Sequence, residues 1–390
     1  IMLPFLVFIS LSAVVMGILN TKGRFFVPAM ASSFFNLGSI IGGTILAFTL
    51  PRYGQPAIVG MAIGTLIGGL LQLGCQLPSL FRTGFRYRPI FKLTDPGLGQ
   101  VLKLMIPATI GLSATQINLF INTNFASSCV EGSVSWLYYA FRLVQLPIGI
   151  FGVALSIAML PVLARQAANK NIDEMKETMV SSLTMVFALT LPATAGLILL
   201  SEPIIRLIFE HGAFTPRDTL ATAQTLSLYA IGLFAYSANK ILVPAFYALD
   251  KTRYPVIASF MAIGFNIIIV TATIEQYGHL AIALSTSCTM LINFVFLTAV
   301  LYRSLNGFSL LYLYKGLVKI VFATSALAVF LYFTLPVFVV WLHRSILHQS
   351  LSLFLLIFAA ALIYGATLYK LQLNELTLLT DKLRQKFWGS

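Results

Sequence analysis

The sequence predicts an all-α fold, a polytopic bundle of about eleven transmembrane helices, on three observations. First, 58% of the 390 residues are hydrophobic and 9% charged, with mean hydropathy +0.90, against about 25% charged residues in ordinary soluble domains. Second, a bilayer core about 30 Å thick needs roughly 20 apolar residues per helix, and such runs recur along the whole chain. Third, Lys and Arg cluster in the breaks between the runs, where they read as topology signals rather than as a nucleic-acid surface, despite a net charge of +13.

Hydrophobic runs between polar breaks place spans near 1–19, 27–50, 57–81, 98–128, 134–164, 178–200, 223–249, 255–274, 280–302, 316–340 and 350–369. The opening run from Ile1 has no basic leader and no small-residue cleavage site, so it reads as a span rather than a signal peptide. In the third run, Gly60, Gly64 and Gly68 form GxxxGxxxG, a surface on which two helix backbones pack closely. The fourth carries a polar stripe of Gln116, Asn118, Asn122 and Asn124, with 118 and 122 on one face at i, i+4. That stripe either lines a polar cavity or joins helices by hydrogen bonds. Pro107, Pro147, Pro192 and Pro244 are expected to kink or hinge their helices.

Eighteen Lys and Arg residues fall in the odd-numbered loops and the C-terminal tail. Only Arg52, Arg206, Arg217 and Arg344 fall in the even loops. The odd loops and the C-terminus are therefore expected on the cytoplasmic side, with Ile1 on the outer side. An internal likeness supports the spacing: ILNTKGRFFVPAMASSFFN, between spans one and two, matches ALDKTRYPVIASFMAIGFN, between spans seven and eight. Each has a Lys-x-Arg turn, aromatic residues, a Pro, an Ala-Ser pair and then an Asn. An offset of six spans implies a parallel repeat. The expected organisation is 1–81 as the second half of an N-terminal lobe, 82–97 as a basic cytoplasmic loop, 98–302 as a six-helix C-terminal lobe, and 303–390 as two extra spans and a tail. Three helices ahead of Ile1, fourteen in all, would complete the pattern.

All twelve acidic residues lie in loops or near span ends. That speaks against intramembrane acid-base chemistry, which needs a proton-transferring group at the reacting bond, and against a buried carboxylate ion site. The loop acids Glu131, Glu202, Glu210 and Asp218 remain the places where a membrane glycosyltransferase would find its base, and His211 beside Glu210 invites a catalytic pair; Gly212 and the Thr215–Thr219 turn favour a helix-linking loop. Cys75, Cys129 and Cys288 are scattered, without metal-ligand spacing, and no metal or cofactor is expected.

Three basic residues lie within spans. Lys103 stands near a cytoplasmic end and can snorkel. Arg142, in SWLYYAFRLVQLPIGIFGVAL, and Lys240, in YSANKILVPAFYAL, lie well inside. An Arg near the bilayer centre costs roughly 2.5–3.5 kcal/mol on insertion scales, and no intramembrane carboxylate is available to offset it. A water-filled cavity that receives an anion would, and a guanidinium suits phosphate oxygens because it is planar and binds bidentately. Snorkelling, or bonding to carbonyls freed by Pro147, is the alternative. The loop FRTGFRYRPIFK mixes basic and aromatic residues and is expected to rest on anionic lipid headgroups rather than bind nucleic acid.

The segments GILNTKGRFFVPA, EGSVSWLYYAFRLVQLPIGIFGVALSIAMLP and LIFEHGAFTPRDTLATAQTLSLYAIGLFAYSANKILVPAFYALDKTRYPV resemble the MurJ family of lipid II flippases, within the multidrug/oligosaccharidyl-lipid/polysaccharide exporter superfamily. The resemblance runs through at least the first 310 residues; the last two spans match mainly by hydropathy. It implies two six-helix lobes around a central cavity, a C-terminal helix pair that grooves the polyprenyl tail, and alternating access in the bacterial inner membrane. It also implies no covalent chemistry, and as partners lipid II and the cell-wall synthesis machinery. Arg142 stands at the family's cavity arginine, which meets the pyrophosphate; Lys240, Asn118, Asn122 and Gln145 are the further candidates for substrate contact. Phe141 and Gln145 stand where some members carry acids, which removes an expected ion-coupling role there. A related exporter of drugs or polysaccharide precursors would share the fold.

Overall fold

The computed structural model describes residues 1–87, 96–342, 346–373 and 375. Residues 88–95 of the basic 82–97 loop, Asp95 among them, together with Arg344, the tail beyond 375 and the side chain of Lys103, lie outside the described residues. Every element among those described is helical, as a bilayer demands, because a helix satisfies its own backbone polar groups where no water can. The chain divides into two compact units, 1–99 and 100–390.

The first unit contains α1 (Phe5–Thr21), α2 (Phe26–Thr49) with a 3-10 turn at Leu50–Tyr53, α3 (Ala57–Gly74) and α4 (Leu77–Phe81). Its main contact is α2 against α3, built on the glycine motif. A Cβ on Gly60 would overlap the backbone of Leu46 and Ala47, one on Gly64 the backbone of Gly43, and one on Gly68 the Phe35 carbonyl and Ser39 hydroxyl. The two backbones approach where no side chain intervenes, as the GxxxGxxxG pattern implies. Gln76 donates to the Ser12 hydroxyl at 2.5 Å and ties α4 to α1.

The second unit holds α5 (Pro96–Ser127), α6 (Ser133–Pro147), α7 (Ala154–Ala168), α8 (Ile172–Leu199), α9 (Ser201–Phe209), α10 (Pro216–Ile231), α11 (Leu233–Ala248), α12 (Arg253–Tyr277), α13 (His279–Ser304), α14 (Leu310–Leu342) and α15 (Ile346–Lys370). Met179, Leu183, Leu242, Phe246 and Leu301 are fully buried where α8, α11 and α13 meet. Helix α14 packs on α8, and α15 packs on α14 and α9, with Leu327, Leu331, Leu356 and Ala360 buried in one cluster with Leu200, so the last two helices are part of this unit's core. Eight helices of the described chain are long and apolar enough to cross a membrane, and a bent pair makes a ninth; the protein is a multi-span membrane protein.

Two irregularities depart from the sequence expectation. The expected seventh span, 223–249, is two helices, α10 and α11, meeting at 42°. The break is at Gly232, not at a proline: α8 runs through Pro192 and α11 through Pro244 unbroken. A Cβ at Gly232 would lie 2.8 Å from Ser287 Cα, and the Ser287 hydroxyl donates to the Leu228 carbonyl at 2.6 Å, taking up backbone capacity that the bend frees. The second irregularity is a π-helical turn, Ile148–Val153, between α6 and α7. Pro147 has no N–H to donate to the preceding turn, which loosens the ladder there. Gly152 of that turn sits against Ser237 of α11, with an added Cβ only 3.1 Å from Ser237 Cα, so the two irregularities pack together.

The region expected as a linking loop is partly helical. Helix α9 places Arg206 between Glu202 at 2.7 Å and Glu210 at 3.3 Å. Helix α10 begins at Thr215 with a reciprocal capping box to Asp218, satisfying two otherwise orphaned N–H groups. Both repeat-like segments turn alike, through an i→i−5 backbone bond: Arg24 N–H to the Leu19 carbonyl after Gly23 at φ +71°, and Lys251 N–H to the Phe246 carbonyl after Asp250 at φ +55°.

Candidate functional site

Helix α6 is anchored by one face and presents the other. Trp136, Leu137, Ala140 and Val144 are buried, and the Trp136 indole N–H donates to Asp218 at 2.8 Å while its ring lies against His279. Phe141 meets Tyr229 edge to face. With that face fixed, Arg142 and Gln145, three residues apart, are both exposed on the other. The Arg142 guanidinium donates to the Tyr138 hydroxyl one turn earlier and lies 5.2 Å from that ring's centre. A phenol orients the guanidinium without neutralising it. Among the described residues the ion pairs are Lys176–Asp173, Arg206–Glu202 and Arg206–Glu210, so no described carboxylate pairs with Arg142.

The asparagine stripe has a buried hub that the sequence reading did not single out. Asn266 of α12, fully buried, donates to Asn118 Oδ1 at 2.8 Å and Asn122 Oδ1 at 2.7 Å and accepts from Ser285 at 2.6 Å. Asn122 also donates to Thr286 at 3.4 Å. The stripe thus joins α5 to α12 and α13, while Gln116 and Asn124 are exposed. The one sequence signal for Asn266 was its place at the end of the internal likeness. Interhelical hydrogen bonds in membranes average about 0.6 kcal/mol each. Asn266→Leu, which removes three of them, is therefore expected to destabilise the protein by about 2 kcal/mol, seen as a lower thermal unfolding midpoint in detergent; an unchanged midpoint would show that the hub carries no stability.

Lys240 on α11 is exposed, its ammonium 5.5 Å from the Tyr236 ring centre. It stands on a cavity of about 320 Å³ within the second unit. Asn118, Ser156, Asn239, Ser259 and Asn293 contribute polar groups to the lining, and Val243, Pro244, Ala258, Ala262, Ile263 and Leu297 an apolar wall. The structure thus brings Asn118 and Lys240 to one cavity; Arg142, Gln145 and Asn122 are not in its lining.

Three of the loop acids are engaged: Glu202 and Glu210 by Arg206, and Asp218 by Thr215 and Trp136. Glu210 accepts from Thr219 at 2.6 Å and from Arg206, while His211 Nε2 sits 3.2 Å from the Leu207 carbonyl instead of facing Glu210. The three cysteines are free, and burial pushes the Cys129 thiol above its ordinary range. Among the described residues, no group of His, Cys, Asp and Glu is arranged to hold a metal ion.

A family model described as lipid II flippase MurJ matches residues 1–355. The probable lipid II flippase MurJ of Vibrio cholerae is 34% identical over 354 residues, covering 90% of this chain and 66% of that protein. Its counterpart in Haemophilus influenzae is 32% identical over 391 residues, covering 97% and 74%. The chain thus spans about two thirds to three quarters of these curated relatives. Among solved structures, a lipid II flippase MurJ in an inward closed conformation superposes with TM-score 0.73 at 29% identity, covering 94% of this chain and 73% of that one. An inward-facing multidrug resistance MATE family transporter of the MOP superfamily superposes with TM-score 0.65 at 17% identity, covering 77% and 69%, a likeness of fold alone.

Proposed function

This chain belongs to the lipid II flippase MurJ family, and on that premise we propose that it translocates lipid II from the inner to the outer leaflet of the bacterial cytoplasmic membrane by alternating access, with its C-terminus in the cytoplasm. The observation that carries the reading is Arg142: a permanent charge inside a membrane-spanning helix, exposed, oriented by Tyr138 and paired with no described carboxylate. Such a group is costly unless an anion visits it. A pyrophosphate offers oxygens at the spacing of the guanidinium fork and accepts two parallel charge-assisted bonds.

In this reading Arg142 holds the pyrophosphate, and Gln145 on the same face donates or accepts beside it. The polyprenyl tail stays in the hydrocarbon, so the protein need only shelter the polar headgroup while it crosses. No bond is made or broken. The Gly232 bend and the π turn, packed together beside α11, are where the second unit would flex as access alternates, because weakened ladders yield before regular helix does. The basic 82–97 loop would rest on anionic headgroups, and the cell-wall synthesis machinery would take up the exported precursor.

The test is externally accessible lipid II in bacteria depleted of their own flippase and supplied with the full-length gene. Restored exposure is expected. Its absence, with the protein present in the membrane at normal level, would overturn the substrate assignment.

A further inference from the structure

The cavity beneath Lys240 has a composition of its own. Among the described residues its polar groups are nearly all neutral amides and hydroxyls, Asn118, Asn239, Asn293, Ser156 and Ser259, and no carboxylate lines it. The amide oxygens of Asn239 and Asn293 are buried with no hydrogen-bond partner among the described residues. Leaving a buried acceptor unmade costs about 1–3 kcal/mol, so a ligand that brings hydroxyl or amide N–H donors, with a small amide rotation, recovers what the empty cavity forgoes. The rest of the lining is largely apolar, with Val243 and Pro244 of α11, Pro255, Ala258, Ala262 and Ile263 of α12, and Leu297 of α13. Among the described residues Lys240 is the only cation of the lining.

That combination selects a chemistry. A single Lys is too little for a pyrophosphate, which calls for several donors or a bidentate guanidinium. It also repels cationic drugs. Neutral donors and acceptors set among apolar surface suit a pyranose ring, with hydroxyls and an N-acetyl group on its edge and C–H groups on its face. At about 320 Å³ the cavity lies at the lower end of the roughly 300–1,000 Å³ range of small-ligand pockets, room for a sugar ring and not for a whole disaccharide-peptide.

We propose that this cavity is a sugar subsite of the transporter: it takes an N-acetylated pyranose of the headgroup, with Asn239 and Asn293 accepting from the sugar and Lys240 pairing with an anionic group next to it. The proposal rests on the transport reading above and adds to it a second contact, separate from Arg142, that reads the sugar rather than the phosphates.

The experiment measures binding of two probes to the purified full-length protein in detergent: a short-chain prenyl diphosphate, and the same diphosphate carrying an N-acetylated, carboxylate-bearing disaccharide. Wild type is expected to bind the sugar-bearing probe about tenfold more tightly, the gain from one or two net hydrogen bonds. Asn293→Leu and, separately, Ser259→Val should bring that ratio close to one while leaving affinity for the bare diphosphate unchanged, which also reports that each variant is folded. Arg142→Ala should weaken both probes and keep the ratio. Lys240→Gln should weaken the sugar-bearing probe alone if its partner is the carboxylate, and both if it is the phosphate; no effect on either removes Lys240 from the site. Equal binding of the probes by wild type, or a ratio that survives both cavity variants, overturns the subsite and leaves the transport reading standing. Failure of wild type to bind either probe sinks the transport reading and the subsite with it.

Discussion

Arg142→Ala is expected to reduce lipid II translocation by about 10- to 100-fold at unchanged protein level. A hydrogen bond to a charged group contributes about 1.5–3 kcal/mol, and each 1.4 kcal/mol is about a factor of ten. The loss should fall on transport and not on folding, because the guanidinium is exposed and the residues that anchor α6, from Trp136 to Val144, lie on the opposite face. Arg142→Lys keeps the charge but not the planar fork, so it should recover only part of the rate. Tyr138→Phe removes the hydroxyl that orients the guanidinium and should cost a few-fold. Initial rates in proteoliposomes containing the full-length protein measure all three. Wild-type rates for Arg142→Ala would make the arginine a structural residue and remove the main support for a pyrophosphate contact.

Gly64→Leu is expected to abolish accumulation of folded protein. A Cβ at Gly64 collides with the backbone N and Cα of Gly43, and a backbone inside a helix cannot turn aside as a long side chain can. Overpacking of a well-packed interior typically costs 1–3 kcal/mol; here the whole Leu side chain must enter a helix contact closed to a methyl group. Helices α2 and α3 would have to separate along the contact that holds the first unit together. Gly74→Leu, at the end of the same helix where an added Cβ meets nothing within 4 Å, is the matched control and should be tolerated. Membrane yield and monodispersity in detergent decide the matter. Equal behaviour of the two variants would show that the glycine face is not a packing determinant.

The glycine motif and the arginine were legible in the sequence for the same reason: each carries its meaning in residue type and spacing alone. Glycines four apart on an apolar helix leave room for one thing, a second backbone. A guanidinium in a hydrophobic run announces an unmet electrostatic requirement. The helical class followed from hydropathy because the bilayer allows so few ways to satisfy a backbone. The π turn was half visible, since Pro147 marks where the ladder must loosen but not how the chain repairs it.

What lay beyond the sequence depends on partners far along the chain. Nothing local distinguishes Gly232, which breaks the α10–α11 span, from Gly196, which α8 carries without a break. The difference is Ser287, some fifty residues on, packed against the first and donating to the carbonyls beside it. The stripe of Asn118 and Asn122 is equally able to line water or to bind helices until Asn266 and Ser285 arrive from α12 and α13. The cavity under Lys240 exists only because α5, α7, α11, α12 and α13 converge. The sequence by itself determined that the chain spans a membrane, which helix face packs backbone to backbone, and that Arg142 and Lys240 sit inside spans, because those follow from each residue's own free energy in hydrocarbon. Tertiary structure alone decided where the spans bend and which polar groups are spent on each other rather than left for a ligand, because a hydrogen bond has no owner until both of its ends are in place.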